Sequence, residues 1–399
     1  MHPDSTRLTG HQPGLDGVRG FAILAVMALH FVGDAHPTGL LDRLVVKTAG
    51  YGLLGVDLFF VLSGFLITGL LLEAKGKPHY FRNFYARRTL RIFPLYYAVL
   101  LVAFLLLPLV TTLPPALEHA RREQAWLWTY TSNFYIAREN AWALGYLSHF
   151  WSLAIEEHFY LVWPLVVFLL RRETLEKVAL GVVVAGLGLR VALALWGVSE
   201  LSISVLTPAR VDTLVVGAWL AAVIRRPAGA APWLAGAGRA AAALLGAIVA
   251  VSAWCALTGL GLEVLHQVRN TLYALFFGAF TLLAVRLPGA PAGWRARVFE
   301  HRGLMTIGKY AYGLYVYHAI LNYQLYLWDA DARMTALLGN HLAGVLAKAL
   351  LASAASFAVA VASYELFEKP FLSLKRHFET APARPAPAPA PAAAADAGR

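Results

Sequence analysis

The sequence predicts an all-α fold: a polytopic membrane helix bundle of about ten transmembrane helices, with N-in/C-in topology. Three observations carry this expectation. The chain is 59% hydrophobic and 14% charged, with a mean hydropathy of +0.58, whereas soluble chains run at about 45–50% apolar and ~25% charged. The apolar residues gather in stretches near the ~20 residues a helix needs to cross hydrocarbon. The Lys and Arg residues concentrate in alternate connecting loops, as the positive-inside rule requires of a cytoplasmic side.

The expected spans are 15–33, 50–72, 93–113, 151–171, 177–197, 209–224, 237–258, 267–287, 308–328 and 341–368. The sixth is the shortest. With the N-terminus inside, 23 loop cations fall on the cytoplasmic side against 6 outside, the latter being Arg43, Lys47, Arg121, Arg122, Arg138 and Arg333. Spreading the +11 net charge over separate loops argues against a nucleic-acid partner. The aromatic patch Trp126 to Ile136 reads as interfacial or re-entrant, because an eleventh crossing there would invert the later loops. The single cysteine, Cys255, excludes an intramolecular disulfide and a Cys-based metal cluster. The first apolar segment is too long and too polar at its ends for a cleaved signal peptide. The domain division expected is a cytoplasmic segment over 1–14, a membrane domain over 15–372, and a disordered Pro/Ala-rich tail over 373–399. No appended soluble domain is expected.

The first span carries Arg19 at its start and His30 near its end. Eleven steps of ~100° come to within about 20° of three full turns, so the two share a face roughly 16 Å apart. The bland readings are a snorkelling anchor for Arg19 and a hydrogen-bonded interfacial histidine for His30. Sharing one stripe weakens both. In the second span, VDLFFVLSGFLIT holds Asp57, which needs a partner inside hydrocarbon, while Gly55 and Gly64 permit close helix approach. RNFYARRTLRIFPLYY puts Arg87, Arg88 and Arg91 at the cytoplasmic mouth of the third span, as a charged flank or as a clamp for a polyphosphate.

SHFWSLAIEEHFYLVWP places His149, Glu156, Glu157 and His158 at the outer end of the fourth span, on the side of His30. Adjacent carboxylates point about 100° apart on a helix, so at least one looks into the bundle, where it could orient an imidazole. Arg210 and Asp212 at the start of the sixth span read as a structural ion pair. His318 lies in a tyrosine-rich run, KYAYGLYVYHAI.

Taken together, these runs resemble the acyltransferase-3 family of integral membrane acyltransferases. The matches are GLDGVRGFAILAVMALH, LFFVLSGFLIT, ARRTLRIFPLYY, FWSLAIEEHFYLVWP, RVDTLVVGA, YAYGLYVYH and FEKP, in family order from Leu15 to Pro370. The resemblance implies a membrane O-acyltransferase of bacterial inner-membrane type. It would move an acyl group, commonly acetyl, from cytoplasmic acyl-CoA to a hydroxyl of a cell-envelope glycan or glycolipid. The family's Arg-x10-His pair falls on Arg19 and His30, and its Arg-x-x-Arg motif on Arg88 and Arg91. Many family members carry a soluble hydrolase-like domain with a Gly-Asp-Ser motif, and none is expected in this chain.

The expected site therefore has Arg19, Arg87, Arg88 and Arg91 on the donor and His30 as base or transient acyl carrier. Glu156 or Glu157 would orient His30, with Asp57 or His318 assisting. The expected partners are acyl-CoA, the glycan or glycolipid acceptor and membrane lipid, and no metal is required. A macrolide-type acceptor is an alternative within the class. A proton-coupled transporter or a non-catalytic scaffold is an alternative outside it; a transporter often shows internal repeats, and none is evident.

Overall fold

The computed structural model describes residues 10–226, 229–259, 261–287, 289–291 and 293–378. Among them there are helices and no strand, because a backbone in hydrocarbon must satisfy its own polar groups. Ten principal helices overlap the ten expected spans, the third starting 13 residues before its expected bound: α1 Pro13–Ala28, α2 Leu54–Ala74, α3 Tyr80–Leu101, α4 Trp151–Leu169, α5 Arg172–Leu195, α6 Thr207–Val223, α7 Ala231–Thr258, α8 Leu262–Ala284, α9 Ala311–Leu327 and α10 His341–Ser363. Seven helical runs, those containing α1–α5, α7 and α10, are long and apolar enough to cross a membrane. The other three are shorter or more polar: α6 and α9 have 17 residues each, and α8 carries Glu263, Gln267, Arg269 and Asn270.

Helix α6 is short because it sits inside the bundle, with most of its residues buried from Ala209 to Val223. It packs on α2 backbone to backbone. A Cβ on Gly64 would lie 1.8 Å from the Leu214 carbonyl oxygen, and one on Gly217 would lie 1.8 Å from that of Val61. Small residues allow this approach where lipid supplies no hydrophobic drive between helices. At the rim, α7 is largely exposed, with Leu245, Val249, Trp254 and Leu257 outward. It ends where Gly259 and Gly261 take φ of +64° and +67° before α8.

The loops sort by end. At one end Gly308 meets the Asp16 carbonyl, Arg225 pairs with Glu73 at 2.8 Å and Arg226 with Glu176 at 2.5 Å, and Lys75 donates to the Leu170 carbonyl. At the other, His341 meets Asp42 at 2.6 Å, Ser199 meets Asn140 at 2.5 Å, and His266 meets Glu200 at 3.6 Å. The basic loops thus share one end. The Trp126 patch forms two short helices, Ala125–Trp128 and Ser132–Glu139. Tyr96 and Tyr97 donate to the Leu127 and Trp128 carbonyls and hold the first against α3.

Two expectations need amendment. Residues 374–378, assigned to a disordered tail, form a 3-10 turn, Leu374–Phe378. Lys375 and Phe378 from this turn line a cavity. The remainder of the expected tail, 379–399, and residues 1–9 of the N-terminal segment lie outside the described residues. The second amendment concerns Arg210 and Asp212, which do not pair with each other. Two residues apart on a helix they point to different neighbours: Arg210 reaches Asp57 on α2, and Asp212 meets Arg190 on α5 at 2.6 Å. Asp57 is therefore committed to an interhelical ion pair and makes no hydrogen bond or ion pair with His30.

Candidate active site

A cavity of about 680 Å³ opens at the basic end and runs inward between α1, α2, α3, α4 and α9. Its wall contains six cations, Arg19, Lys77, Arg87, Arg88, Arg91 and Lys375, against two carboxylates, Glu73 and Glu156. All four arginines expected on the donor are thus in one chamber. Arg19 is also paired with Asp16 in the first turn of α1. The Arg88 guanidinium lies 5.2 Å from the centre of the Tyr160 ring, and that of Arg91 lies 5.8 Å from Tyr312. Such stacking holds the planar forks extended toward the chamber. Sequence reasoning missed Lys375, because it stands far along the chain in a stretch that reads as tail.

Helix α4 supplies a polar stripe at intervals of four residues. Tyr160, Glu156 and Ser152 all line the chamber, each about 6 Å further from the mouth than the last. Ser63 Oγ donates to Glu156 Oε1 at 2.8 Å and Tyr160 Oη donates to Oε2 at 2.9 Å. At the deep end Ser152 Oγ meets Tyr315 Oη at 2.7 Å, and the tyrosine hydroxyl donates to the His149 carbonyl.

Behind this hydrogen-bonded partition stand three histidines. The His149 ring is 5.1 Å from that of Tyr315 and 5.7 Å from that of His318, and His318 is 5.2 Å from His30. His318 is fully buried. Its Nδ1 faces the Leu314 carbonyl at 3.0 Å, and His149 Nδ1 faces the Tyr146 carbonyl at 2.5 Å. A nitrogen facing a carbonyl oxygen must carry the proton, so in the neutral form of each ring Nε2 is the lone-pair nitrogen. Both Nε2 atoms are buried without a partner among the described residues.

His30 sits where α1 widens into a π-turn, Leu29–Gly33. Such turns are frequent at functional sites. Its Nδ1 is 3.3 Å from Asp34 Oδ2, an arrangement that fixes the tautomer with Nε2 as the basic nitrogen. Asp34, four residues beyond His30, is the carboxylate on this imidazole and was missed; the i, i+4 spacing was its sequence signal. Neither Glu156 nor Glu157 orients His30. Glu156 belongs to the chamber, about two helical turns along the chain from His149, which just precedes α4. Glu157 points about 100° away, within electrostatic reach of Tyr96, Tyr97 and Tyr130, and its Oε1 is buried without a partner among the described residues. His318, expected to assist, is the one of the three remaining candidates that adjoins His30.

These features come with family relationships. Residues 12–365 match the family described as "Acyltransferase domain". The chain is similar to a protein named peptidoglycan O-acetyltransferase OatA of Listeria monocytogenes, 29% identical over 329 residues, covering 77% of this chain and 48% of that one. It is also similar to O-acetyltransferase OatA of Staphylococcus aureus, 29% identical over 332 residues, covering 77% of this chain and 50% of that one. The chain therefore spans about half the length of these curated relatives. No solved structure matches. With the family matched over 354 residues, from before Arg19 to beyond α10, and six of the seven motif runs falling within that match, this chain belongs to the acyltransferase domain family.

Proposed function

We propose that this protein is a multi-pass enzyme of the bacterial plasma membrane that transfers an acetyl group from cytoplasmic acetyl-CoA to a hydroxyl of a cell-envelope glycan. The observation that carries the reading is the chamber itself. Six cations surround a cavity whose deep end approaches His30 through Tyr315 and His318. The names of the relatives support a glycan acceptor. The basic end faces the cytoplasm, where acyl-CoA is found, and this agrees with the side that collects the loop cations.

The donor's phosphates bind Arg88, Arg91 and Arg19, with Lys77, Arg87 and Lys375 at the rim. Arginine forks match phosphate geometry bidentately. The pantetheine arm lies along α4 and α2. At the outer face His30 Nε2 takes the proton from the acceptor hydroxyl, and the oxygen attacks the thioester carbonyl. The C–S bond breaks, the thiolate recovers that proton from the imidazolium, and ester and free CoA leave. Asp34 holds the imidazole and stabilises its charged form. Contact between thioester and His30 requires the Tyr315 hydroxyl to leave Ser152 and the His149 carbonyl.

The test is direct. Membranes containing the protein, given acetyl-CoA labelled in the acetyl group and a soluble peptidoglycan fragment, transfer label to base-labile ester. Membranes carrying His30→Ala do not. Equal ester formation by the two would end the catalytic assignment.

A further inference from the structure

Glu156 is one of two carboxylates in a chamber walled by six cations, and the other, Glu73, is paired with Arg225. The Glu156 carboxylate faces the cavity one helical turn outward from Tyr160, the ring on which Arg88 rests, and one turn inward from Ser152. Each oxygen accepts one protein hydrogen bond, from Ser63 at 2.8 Å and from Tyr160 at 2.9 Å. An ionised carboxylate offers about four acceptor sites, so two remain on the cavity wall. A ligand that only presented phosphate there would be repelled. A ligand with hydrogen-bond donors one turn beyond its phosphates would be held. Beside Ser63, the α2 residues Phe59, Leu62 and Leu66 also line the cavity and are apolar.

We infer that Glu156, buttressed by Ser63 and Tyr160, reads the pantetheine arm of the donor by accepting hydrogen bonds from its hydroxyl and inner amide N–H, and so selects CoA thioesters over simpler ones. This rests on the acyl-CoA reading above and assigns Glu156 to donor specificity. The pantoyl unit is the part of CoA that follows the diphosphate. It carries a hydroxyl and a dimethyl carbon, and its carbonyl forms the amide whose N–H comes from the next unit. The carboxylate suits the hydroxyl and amide N–H, and the apolar α2 residues beside it suit the methyl groups.

The experiment compares three acetyl donors: acetyl-CoA, acetyl-pantetheine, and S-acetyl-N-acetylcysteamine, which lacks the pantoyl unit. Purified wild type and Glu156→Gln are assayed on the same glycan fragment, with KM and kcat separated. Expected for Glu156→Gln is a rise of about tenfold or more in KM for acetyl-CoA and acetyl-pantetheine. The value of kcat/KM for the cysteamine thioester stays within about twofold of wild type. Ser63→Ala, which leaves the carboxylate in place with one support removed, shows the same pattern with a smaller rise. It serves as the second readout should Glu156→Gln fold poorly. An equal loss with all three donors, or a fall in kcat with KM unchanged, overturns the inference. A wild type that consumes none of the three thioesters overturns the donor reading instead, and this assignment with it.

Discussion

Asp57→Asn tests the helix arrangement without reference to catalysis. The Asp57 carboxylate and the Arg210 guanidinium are each less than a tenth exposed and bind each other across α2 and α6. Arg210 Nε already lacks a partner among the described residues. Removing the carboxylate leaves that guanidinium buried and uncompensated, which costs about 3–5 kcal/mol when one partner of a buried pair is lost. Arg210→Gln leaves the converse defect. The double variant removes both charges and should recover a large part of the loss, giving a coupling energy above ~1 kcal/mol. Unfolding of the purified proteins in mixed detergent micelles, followed by helical circular dichroism, measures all four corners of the cycle. A parallel cycle on Arg210 and Asp212 should give a much smaller coupling, because Asp212 is held by Arg190. Additive single costs for Asp57 and Arg210, or a larger coupling between Arg210 and Asp212, would refute the pairing and the α2–α6 register behind it.

Arg88→Ala and Arg91→Ala should each raise KM for acetyl-CoA by about tenfold to a hundredfold, the loss of a charge-assisted contact, with kcat little changed; initial-rate kinetics in membranes decide, and an unchanged KM with poor accumulation would make both mere flanks. Asp34→Asn should lower kcat by about tenfold or more by releasing the tautomer of His30, while leaving KM for the donor in place; a wild-type kcat would remove Asp34 from the site. Gly217→Leu should prevent accumulation of folded protein, since the first added carbon would lie 1.8 Å from the Val61 carbonyl oxygen; detergent-solubilised monodisperse protein at wild-type yield would contradict that packing.

The fold was legible because hydrocarbon imposes a length and a polarity on each crossing, and charge imposes a side on each loop. The chamber arginines were legible for a related reason: Arg87, Arg88 and Arg91 lie close together in sequence, and Arg19 shares a helical run with His30. Partnership across helices was not legible. The exchange that gives Asp57 to Arg210 and Asp212 to Arg190 depends on which faces of α2, α5 and α6 meet, and a single sequence does not record that. The same holds for Glu156. Its position beside His158 and Glu157 suggested the outer end, but its i, i+4 relation to Tyr160 and Ser152 sets it on the chamber wall. The π-turn at His30 was invisible, because an added residue in one helical turn leaves no mark in an apolar stretch.

The partition formed by Ser152, Tyr315 and the His149 carbonyl carries a consequence for the proposed transfer. A protein that hands an acyl group from one aqueous face of a bilayer to the other risks becoming a leak. A chamber wetted from one side and an imidazole reached from the other would, if joined, dissipate the gradients across that bilayer. In the proposed transfer, the Tyr315–Ser152 hydroxyl pair with the buried His318 ring behind it is the layer that keeps the two apart.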